Sequence, residues 1–359
     1  MAAGPAGPKY RVGIIGCGSI AHYHIRGWNG VDRVEVAALA DPVAEAREEF
    51  GERYGIARRY EDFRQMLDDE ALDIVSICTW HKLHAPMTIA ACARKPKAVL
   101  CEKPMATSLG ECDDMLTAAR RNRVKLAIAH QRRFNAAWTL ARELVAEGAI
   151  GEVRQVSARG GQGLLNDCSH LLDMMRYVMG DPRAVWVMGN IERKTERFER
   201  DIPIEDRSLC VVQFDNGAIG QVLQELAGPN YQGGVFYGSE GILELDESKV
   251  RLLNSRTGAW QERPCEGEDP VVGQQREIVE WIEGEVEHRG QAEHGRAAVE
   301  IIMATYESAR LHEVTALPLR TMASPLEVMI ESGDLPVERP GRYDIRSFLL
   351  RGEEMQPEG

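Results

Sequence analysis

The sequence predicts an α/β protein with a doubly wound parallel sheet in its N-terminal domain. It predicts a C-terminal α/β domain with a large, open, mostly antiparallel sheet. In the first 130 residues, short apolar runs rich in β-branched residues alternate with helical patterns, which is typical of a parallel sheet covered on both faces. Beyond Arg133, strand-like segments alternate apolar and polar positions, as in an antiparallel sheet with one exposed face. The length of 359 residues also favours two domains.

Composition and charge narrow the class of protein. The chain has 43 basic and 56 acidic residues, a formal net charge of -13 and no basic tract, which argues against nucleic acid or an anionic membrane as a main partner. Residues 1–9 have no apolar segment suited to a signal peptide, and no apolar run reaches 18 residues, so we expect a cytoplasmic protein. The eight cysteines show no CxxC spacing, which favours free thiols in a reducing compartment.

The strands and helices of the first domain can be followed along the chain. The apolar runs that predict its parallel strands are 9–16, 35–41, 73–79, 97–103 and 125–130. The segments with helical periodicity lie near 19–29, 43–54, 61–69, 85–95 and 108–122. We expect this domain to span 10–131, after a disordered extension of residues 1–9.

The second domain is predicted to span 132–320. A helix over 136–147 ends at Gly148. The strand-like segments that follow are 152–159, 184–193, 208–226, 233–245 and 249–254. Further helices are predicted near 167–179, 271–288 and 294–311. Residues 321–359 form an extension that we expect to pack on the second domain or on a neighbouring subunit.

The first predicted strand runs into a glycine-rich turn. Gly16-Cys17-Gly18-Ser19-Ile20-Ala21 is a GxGxxA motif that opens the first helix. Gly16 permits the tight turn, Gly18 leaves room for a pyrophosphate, and Ala21 lets helix and strand pack closely. The helix N-terminus offers N–H groups and a positive dipole to the phosphates. The motif therefore predicts a Rossmann dinucleotide site to which Gly16, Gly18, Ser19 and Ile20 contribute.

The second predicted strand ends in Asp41. An acid at this place accepts hydrogen bonds from the adenosine ribose hydroxyls, and its charge repels a 2′-phosphate. NAD is therefore favoured over NADP, although a neighbouring Arg can reverse that preference. Asp41 also suits a helix N-cap before Pro42, and the two roles are compatible.

Polar residues follow three of the predicted strands, at the edge where ligands of doubly wound sheets bind. They are Thr79 to His84, Glu102-Lys103-Pro104, and His130 to Arg133. Because all three segments follow the carboxyl ends of parallel strands, we expect them to line one crevice beside the cofactor. Pro104 keeps the backbone of Lys103 extended, and a lysine placed there can exchange a proton with a substrate hydroxyl.

Three motifs, in this order, resemble the Gfo/Idh/MocA oxidoreductase family. They are the GxGxxA turn with Asp41 ending the second strand, Glu102-Lys103-Pro104 after the fourth, and GLLNDCSHLLDMMRYVMG in the second half. The resemblance runs from about Tyr10 to Leu319. It implies a Rossmann domain, and then an α/β domain whose open sheet often builds dimers or tetramers. It also implies hydride transfer between NAD(P) and a secondary alcohol of a sugar or cyclitol.

The resemblance assigns roles to individual residues. Lys103 corresponds to the motif lysine that donates or relays a proton to the substrate oxygen. Glu102 corresponds to a residue that contacts the cofactor side or orients this lysine. The second-domain motif, an Asp, a His four residues later and an Asp three further on, maps onto Asn166, His170 and Asp173. His170 and Asp173 match the motif and Asn166 does not.

The departure at position 166 concentrates proton transfer on Lys103 and His170. Asn166 cannot accept a proton, although its amide still hydrogen-bonds a sugar hydroxyl. Asp167 is adjacent, but one step along a helix turns a side chain by about 100°, so it is not a simple substitute. We expect Asp167 to cap the helix that carries His170, with Asn166 as the competing cap. A lone histidine in an apolar helix is more often structural, but the motif match favours catalysis by His170.

The remaining site predictions concern residues at the strand ends. The expected cofactor contacts there are Thr79, His84, Glu102 and Lys103. The expected substrate contacts are Trp80, Arg133, Asn166 and Asp173. His81 and His84 have no companion carboxylate at zinc-like spacing and no HExxH pattern, so no metal site is expected.

These observations predict an NAD-dependent oxidoreductase that transfers a hydride between nicotinamide and a ring secondary alcohol or ketone of a sugar, glycoside or cyclitol. A homodimer or homotetramer is the expected assembly. One alternative uses the same site with tightly held NAD in a redox cycle that cleaves or epimerises a glycoside. The other is a non-catalytic dinucleotide-sensing regulator, which has no need of Lys103 or His170 and is less favoured.

Overall fold

The computed structural model describes residues 10–225, 232–256 and 258–345. The predicted extension 1–9 and the end of the 321–359 segment, from 346 onward, lie outside the described residues. The chain divides into two compact units. Among the described residues, the first contains those up to Met105 with Cys112–Gln131 and Asp269–Ala292. The second contains Ala106–Glu111, the described part of Arg132–Glu268, and the described residues from Glu293 onward.

The helices fall where the sequence shows helical periodicity, with one addition near the C-terminus. In the described residues they are α1 (Ala21–Asn29), α2 (Ala44–Tyr54), α3 (Phe63–Asp69), α4 (His81–Ala93), α5 (Leu109–Asn122), α6 (Ala136–Ala146), α7 (Cys168–Val178), α8 (Pro270–Glu283), α9 (Ala292–Leu311) and α10 (Pro325–Ser332). The addition is α10, whose N-cap Ser324 accepts a hydrogen bond from the Glu327 N–H. None of these described helices is long and apolar enough to cross a membrane.

The first unit is built on a six-stranded sheet in which every neighbouring pair is parallel. Its strands are β1 (Tyr10–Ile15), β2 (Val34–Ala40), β3 (Arg58–Tyr60), β4 (Ile74–Ile77), β5 (Ala98–Cys101) and β6 (Lys125–Ile128). Their order, β3-β2-β1-β4-β5-β6, confirms the predicted doubly wound sheet. The sequence did not predict β3, because it is a three-residue edge strand and two of its residues are arginines.

Helix α8 belongs to the first unit, although it follows most of the second unit in the chain. Its Ile278 and Trp281 join the apolar core that contains Trp28 of α1. The two helices lie so close that a Cβ on Gly27 would be 2.1 Å from Gln275 Oε1. The second unit therefore differs from the predicted second domain, 132–320, because Asp269–Ala292 belongs to the first unit. The periodicity of α8 predicts a buried face but does not specify the partner of that face.

The second unit contains the large open sheet that the sequence predicts. The strands of this unit are β7 (Val153–Gly160), β8 (Ala184–Glu192), β9 (Thr195–Glu199), β10 (Ile202–Pro203), β11 (Arg207–Phe214), β12 (Ile219–Glu225), β13 (Gly234–Gly238), β14 (Gly241–Leu245), β15 (Lys249–Asn254), β16 (Gln261–Pro264), β17 (Thr315–Ala316) and β18 (Arg339–Asp344). Nine of them form one sheet in the order β16-β15-β14-β13-β7-β12-β11-β8-β17. β7 and β12 are parallel, and the other neighbours are antiparallel. Helix α7 packs on β7 and β12.

The described part of the C-terminal extension packs within the second unit. β18 pairs with β9 in a small sheet of order β10-β9-β18. The carboxylate of Asp344 accepts hydrogen bonds from the N–H groups of Arg200, at 3.1 Å, and Asp201, at 2.8 Å. The sequence did not predict β9 and β10, because the segment they share is mostly charged and lacks a strand-like apolar pattern.

Candidate active site

The two glycines of the first turn serve different purposes. Gly16 has a φ of +95°, and a Cβ there would lie 2.8 Å from the Cys78 carbonyl oxygen, so the chain itself requires glycine. A Cβ on Gly18 would meet no atom of the described chain within 4 Å, so the space in front of this residue is open. Helix α1 then begins at Ala21, and no described side chain caps it at Ile20. An anion therefore meets no side-chain competitor for the first N–H groups of α1.

Asp41 links the glycine turn to the segment that leads into α2. Its Oδ2 accepts a hydrogen bond from the Cys17 N–H and its Oδ1 from the Val43 N–H, both at 2.8 Å. The N-cap position of α2 is Val43, so Asp41 forms a turn two residues ahead of the helix instead of the expected cap. Each carboxylate oxygen accepts a second hydrogen bond, so Asp41 can still bind a ribose.

Two hydroxyls lie next to the turn. Ser19 is exposed. The Thr79 Oγ1 is buried and finds no hydrogen-bond partner among the described residues. The Thr79 methyl group would lie 3.0 Å from a Cβ on Gly16. A buried hydroxyl without a partner is costly, so Thr79 suits a ligand that supplies one. Open space, helix N–H groups and this hydroxyl together fit a dinucleotide.

His84 connects the ends of two neighbouring strands. Its Nδ1 lies 2.7 Å from the Pro104 carbonyl oxygen, and its Nε2 lies 3.1 Å from the Thr79 carbonyl oxygen. The side chain is fully buried. Backbone oxygens therefore face both ring nitrogens of His84, and its contact with the cofactor stays a prediction. Trp80, the N-cap residue of α4, is partly exposed.

Glu102 and Lys103 are adjacent in sequence but differ in exposure to solvent. Glu102 is 7% exposed, and its Oε1 lies 2.8 Å from His24 Nε2. The His24 Nδ1 lies 2.7 Å from Ser76 Oγ, which also accepts a hydrogen bond from the Trp28 indole N–H. The Glu102 Oε2 accepts the backbone N–H of Lys103 at 3.2 Å, and Lys103 is partly exposed. Of the two expected roles of Glu102, this geometry fits holding the lysine segment and does not fit contact with a cofactor.

The pair behind Lys103 is ionic. Burial alone disfavours a charged imidazole, but the Cys78 sulfur and the Glu102 carboxylate raise the pKa of His24 to about 10. Burial works against the charged carboxylate too, yet the hydrogen bond and charge of His24 hold the pKa of Glu102 below its usual range. At neutral pH a buried cation and a buried anion therefore lie next to the Lys103 backbone.

The second unit carries the histidine of the second motif on α7. His170 is 2% exposed, and its backbone N–H donates to the Asp167 carbonyl oxygen. The Asn166 side-chain amide donates to the Gln162 carbonyl oxygen at 3.4 Å, and the Asn166 backbone carbonyl oxygen accepts the Ser169 hydroxyl at 2.7 Å. The expectation that Asp167 caps α7 is wrong, because its side chain makes no capping hydrogen bond in the described structure.

Arg133 and Asp173 bind each other. The Arg133 Nε and Nη2 donate to the Asp173 carboxylate at 2.7 to 3.0 Å, and each side chain is 1% exposed. Arg133 also binds Asp181, and despite burial it lowers the pKa of Asp181 to about 2. Burial and then the charge of Arg133 lower the pKa of His294, 3.5 Å from Asp181, to about 4. This closed cluster holds both side chains, and contact of Arg133 and Asp173 with substrate stays a prediction.

Glu205 is a buried acid that the sequence did not reveal. Its Oε1 accepts the Leu164 N–H at 2.6 Å and the Ser208 hydroxyl, and its Oε2 accepts the Tyr306 hydroxyl at 2.9 Å. Burial raises the pKa of Glu205. Through its hydrogen bond with the Leu164 N–H, Glu205 holds the segment that leads to Asn166 and His170. No motif signals this role, because a single acid in a charged stretch resembles a surface residue.

A doubly wound sheet with an open glycine turn, an acid at the end of β2 and a lysine at the end of β5 defines a nicotinamide-nucleotide-dependent oxidoreductase. Residues 10–130 match the oxidoreductase family with an NAD-binding Rossmann fold. Residues 157–244 match the GFO/IDH/MocA C-terminal domain. The chain therefore belongs to the Gfo/Idh/MocA oxidoreductase family, as the sequence motifs predict. The predicted NAD(P)-dependent dehydrogenase acting on CH–OH groups is confirmed at this level.

The chain is similar to curated dehydrogenases along much of its length. It is 28% identical over 259 residues to myo-inositol 2-dehydrogenase of Thermotoga maritima, which covers 68% of this chain and 74% of that protein. It is 25% identical over 362 residues to D-apiose dehydrogenase of Paraburkholderia graminis, which covers 90% of this chain and 94% of that protein. A solved structure of levoglucosan dehydrogenase in complex with NADH has the same fold, with a TM-score of 0.78 and 21% identity over 86% of this chain and 99% of that one.

Proposed function

We propose that this protein is an NAD-dependent oxidoreductase that transfers a hydride between nicotinamide and a ring secondary alcohol or ketone of a sugar, glycoside or cyclitol. The observation that carries the proposal is Lys103, a partly exposed lysine in the same unit as the glycine turn. The buried Glu102 holds its backbone N–H. Relatives named as dehydrogenases of myo-inositol and D-apiose support a polyhydroxylated substrate.

The cofactor would be held by the glycine turn at its phosphates, by Asp41 at its ribose and by the Thr79 hydroxyl. When bound, its nicotinamide ring supplies the group that accepts or donates the hydride. Asp41 favours NAD, because a carboxylate repels a 2′-phosphate. Arg47 lies nearby, but its Nη1 donates to the Asp41 carbonyl oxygen at 2.7 Å and its Nε lies 3.6 Å from Glu48. Two internal acceptors therefore compete with a 2′-phosphate for this guanidinium.

Lys103 takes the hydroxyl proton when the alcohol is oxidised and returns it when the ketone is reduced. His170 is the second titratable residue that we assign to the substrate, because imidazole changes its charge near neutral pH. Asn166 accepts no proton and contributes hydrogen bonds. Glu102 fixes the Lys103 segment from behind and transfers no proton itself. Trp80 is retained as a wall of the substrate pocket.

The proposal includes a homodimer or homotetramer formed through the exposed face of the nine-stranded sheet. Large apolar side chains on this face are 36 to 48% exposed. They include Met188, Leu209, Ile219, Leu223 and Tyr237. Leu209 lies directly opposite Leu223, and Ile219 and Tyr237 flank the same residue of β7, so these side chains share one face. A patch of this kind favours association. Light scattering should give a multiple of 40.0 kDa, and a monomer would contradict this part.

The substrate class can be tested with a panel of cyclitols, aldoses and glycosides, each assayed with NAD and with NADP for formation of the reduced cofactor. We expect turnover of at least one polyol and a clear preference for NAD. Cofactor that co-purifies, with turnover that needs no added NAD, would favour the redox-cycling alternative. Reduction of neither cofactor by any of the compounds would refute the proposal.

A further inference from the structure

Asp167 and His170 lie on one face of the first turn of α7. The backbone of Asp167 is already helical, with φ -78° and ψ -36°, and its carbonyl oxygen accepts the His170 N–H at 3.2 Å. Residues three apart in helical geometry project from the same side. The structure therefore brings the acid at 167 onto the side of the helix that carries the motif histidine.

The carboxylate of Asp167 has no task within its own unit that the structure accounts for. It does not cap α7, although it precedes the first residue of that helix. Its Oδ2 is buried and has no hydrogen-bond partner within residues 10–225, 232–256 and 258–345. Leaving a buried polar atom without a partner costs about 1 to 3 kcal/mol. The unpartnered oxygen therefore favours a role for Asp167 in binding a ligand.

Other acids at helix starts in this chain behave differently. The Asp62 side chain accepts the Arg64 N–H at the start of α3, and the Asp269 side chain accepts the Val271 N–H at the start of α8. Both acids therefore stabilise their helices in the ordinary way. Asp167 occupies the same kind of position without this bond, so capping does not explain the acid.

Position 166 leaves a chemical need that Asp167 can meet. Asn166 is buried, its side-chain amide donates to the Gln162 carbonyl oxygen, and its backbone carbonyl oxygen accepts the Ser169 hydroxyl. Glu205 holds the same segment through the Leu164 N–H at 2.6 Å. The segment is thus fixed from several sides, and a neutral amide stands where the family motif has a carboxylate. The adjacent Asp167 supplies a negative charge on a rigid support.

We infer that Asp167 contacts the substrate, accepting a hydrogen bond from a hydroxyl next to the reacting carbon, and that it takes the place of the carboxylate missing at 166. The inference rests on the proposed function and adds a residue that selects polyols over simple alcohols. A charged acceptor for a hydroxyl strengthens recognition of a polyol, and a substrate without that hydroxyl leaves the carboxylate unpaired.

The test compares Asp167→Asn and Asp167→Ala with Asp62→Ala, which removes an ordinary cap, that of α3, in the other unit. For the best polyol of the wild-type protein, we expect kcat/KM to fall about 10- to 100-fold in both Asp167 variants, with KM for NAD unchanged. The melting temperature of Asp167→Ala should stay equal or rise, because a buried unpartnered oxygen is removed. Asp62→Ala should lower the melting temperature and leave kcat/KM unchanged.

The outcomes separate this inference from the proposed function. If the wild-type protein oxidises a polyol and both Asp167 variants match it in kcat/KM, the inference is wrong while the function stands. If Asp167→Ala lowers the melting temperature as Asp62→Ala does and leaves kcat/KM intact, Asp167 is a structural residue and the inference is wrong. If the wild-type protein oxidises no polyol, the proposed function and the inference fall together. Asp167→Asn is nearly isosteric, so it supplies the answer even if the alanine variant folds poorly.

Discussion

Each unit buries an ion pair next to residues that the family motifs single out, and the two pairs differ in what they support. In the first unit, His24 and Glu102 lie behind Lys103, which remains partly exposed. In the second unit, Arg133 and Asp173 bind each other with 1% of each side chain exposed. The first pair holds a residue that can meet a ligand, and the second closes on itself. A motif position therefore marks either a ligand contact or the support of one, and the hydrogen-bond partners of the side chain help to distinguish them.

Two histidines sharpen the comparison, because the pKa values of His24, a member of the first pair, and of the partly buried His294, near the second, shift in opposite directions. Cys78 and the Glu102 carboxylate overcome burial and raise the pKa of His24 to about 10. Burial and Arg133 lower the pKa of His294 to about 4. The same ring is thus a cation in one unit and neutral in the other. Burial lowers the pKa of both rings: Cys78 and Glu102 outweigh it at His24, whereas the charge of Arg133 adds to it at His294.

The largest effect should come from the residue in front of the first pair. Lys103→Met keeps most of the side-chain volume and removes the amine, so polyol oxidation should fall about 100- to 10,000-fold. Binding of NAD, measured by fluorescence titration, should change little. Lys249→Met, which removes a surface lysine paired with Glu262, is the control and should keep full activity. Unchanged turnover in Lys103→Met would remove the lysine from the reaction.

The next largest effect is a loss of stability when the buried pair of Arg133 and Asp173 is broken. Asp173→Asn leaves Arg133 buried with half of its compensation, so unfolding in urea should show a loss of about 3 to 5 kcal/mol. Glu35→Gln breaks the exposed pair with Arg11 and should cost less than about 1 kcal/mol. Equal, small losses in both variants would show that burial does not distinguish the two kinds of pair.

His294 predicts an acid-sensitive component of stability. Its pKa is lowered to about 4 in the folded state, so the unfolded ring takes up a proton near pH 6.5 and the folded ring does not. Stability therefore falls between about pH 6.5 and pH 4, by up to about 3 kcal/mol, and then levels off. His294→Gln should flatten this part of the curve. Identical pH curves for both proteins would contradict the assignment.

His24 predicts the opposite sign and a smaller effect on turnover. Because its pKa is raised to about 10, its contribution to stability is complete below pH 6.5 and is lost as the pH rises through about 10. His24→Gln keeps a donor for Glu102 and removes the charge, so kcat should fall about tenfold with the affinity for NAD unchanged. A variant with full kcat and the same alkaline loss of stability would assign His24 to packing alone.

Much of the fold follows from local patterns. The parallel sheet and the order of its helices were predicted, because apolar periodicity is a local signal. β3 and β9 were missed, because their charged residues form strands only where a neighbouring strand pairs with them. The partner of α8 was also missed, because an amphipathic pattern carries no information about which surface it meets.

The candidate site shows the same limit at the level of single residues. The motifs located the glycine turn and Asp41 correctly in one unit, because their spacing reflects backbone geometry. The motifs did not distinguish Lys103, which is partly exposed, from Asp173, which is buried in an ion pair. A motif marks a position and does not report the exposure of its side chain. Glu205 was missed because its partners are distant in sequence: Leu164 and Tyr306 lie on other segments.

The most direct test of hydride transfer follows the hydrogen itself. The protein is incubated with NAD and with a cyclitol or sugar that carries deuterium on its ring carbinol carbons, and the reduced cofactor is examined by mass spectrometry. We predict that each reduced nicotinamide carries one deuterium from the substrate and that Lys103→Met forms almost none. Reduced cofactor without deuterium, or a substrate changed with no transfer to nicotinamide, would contradict the proposed reaction.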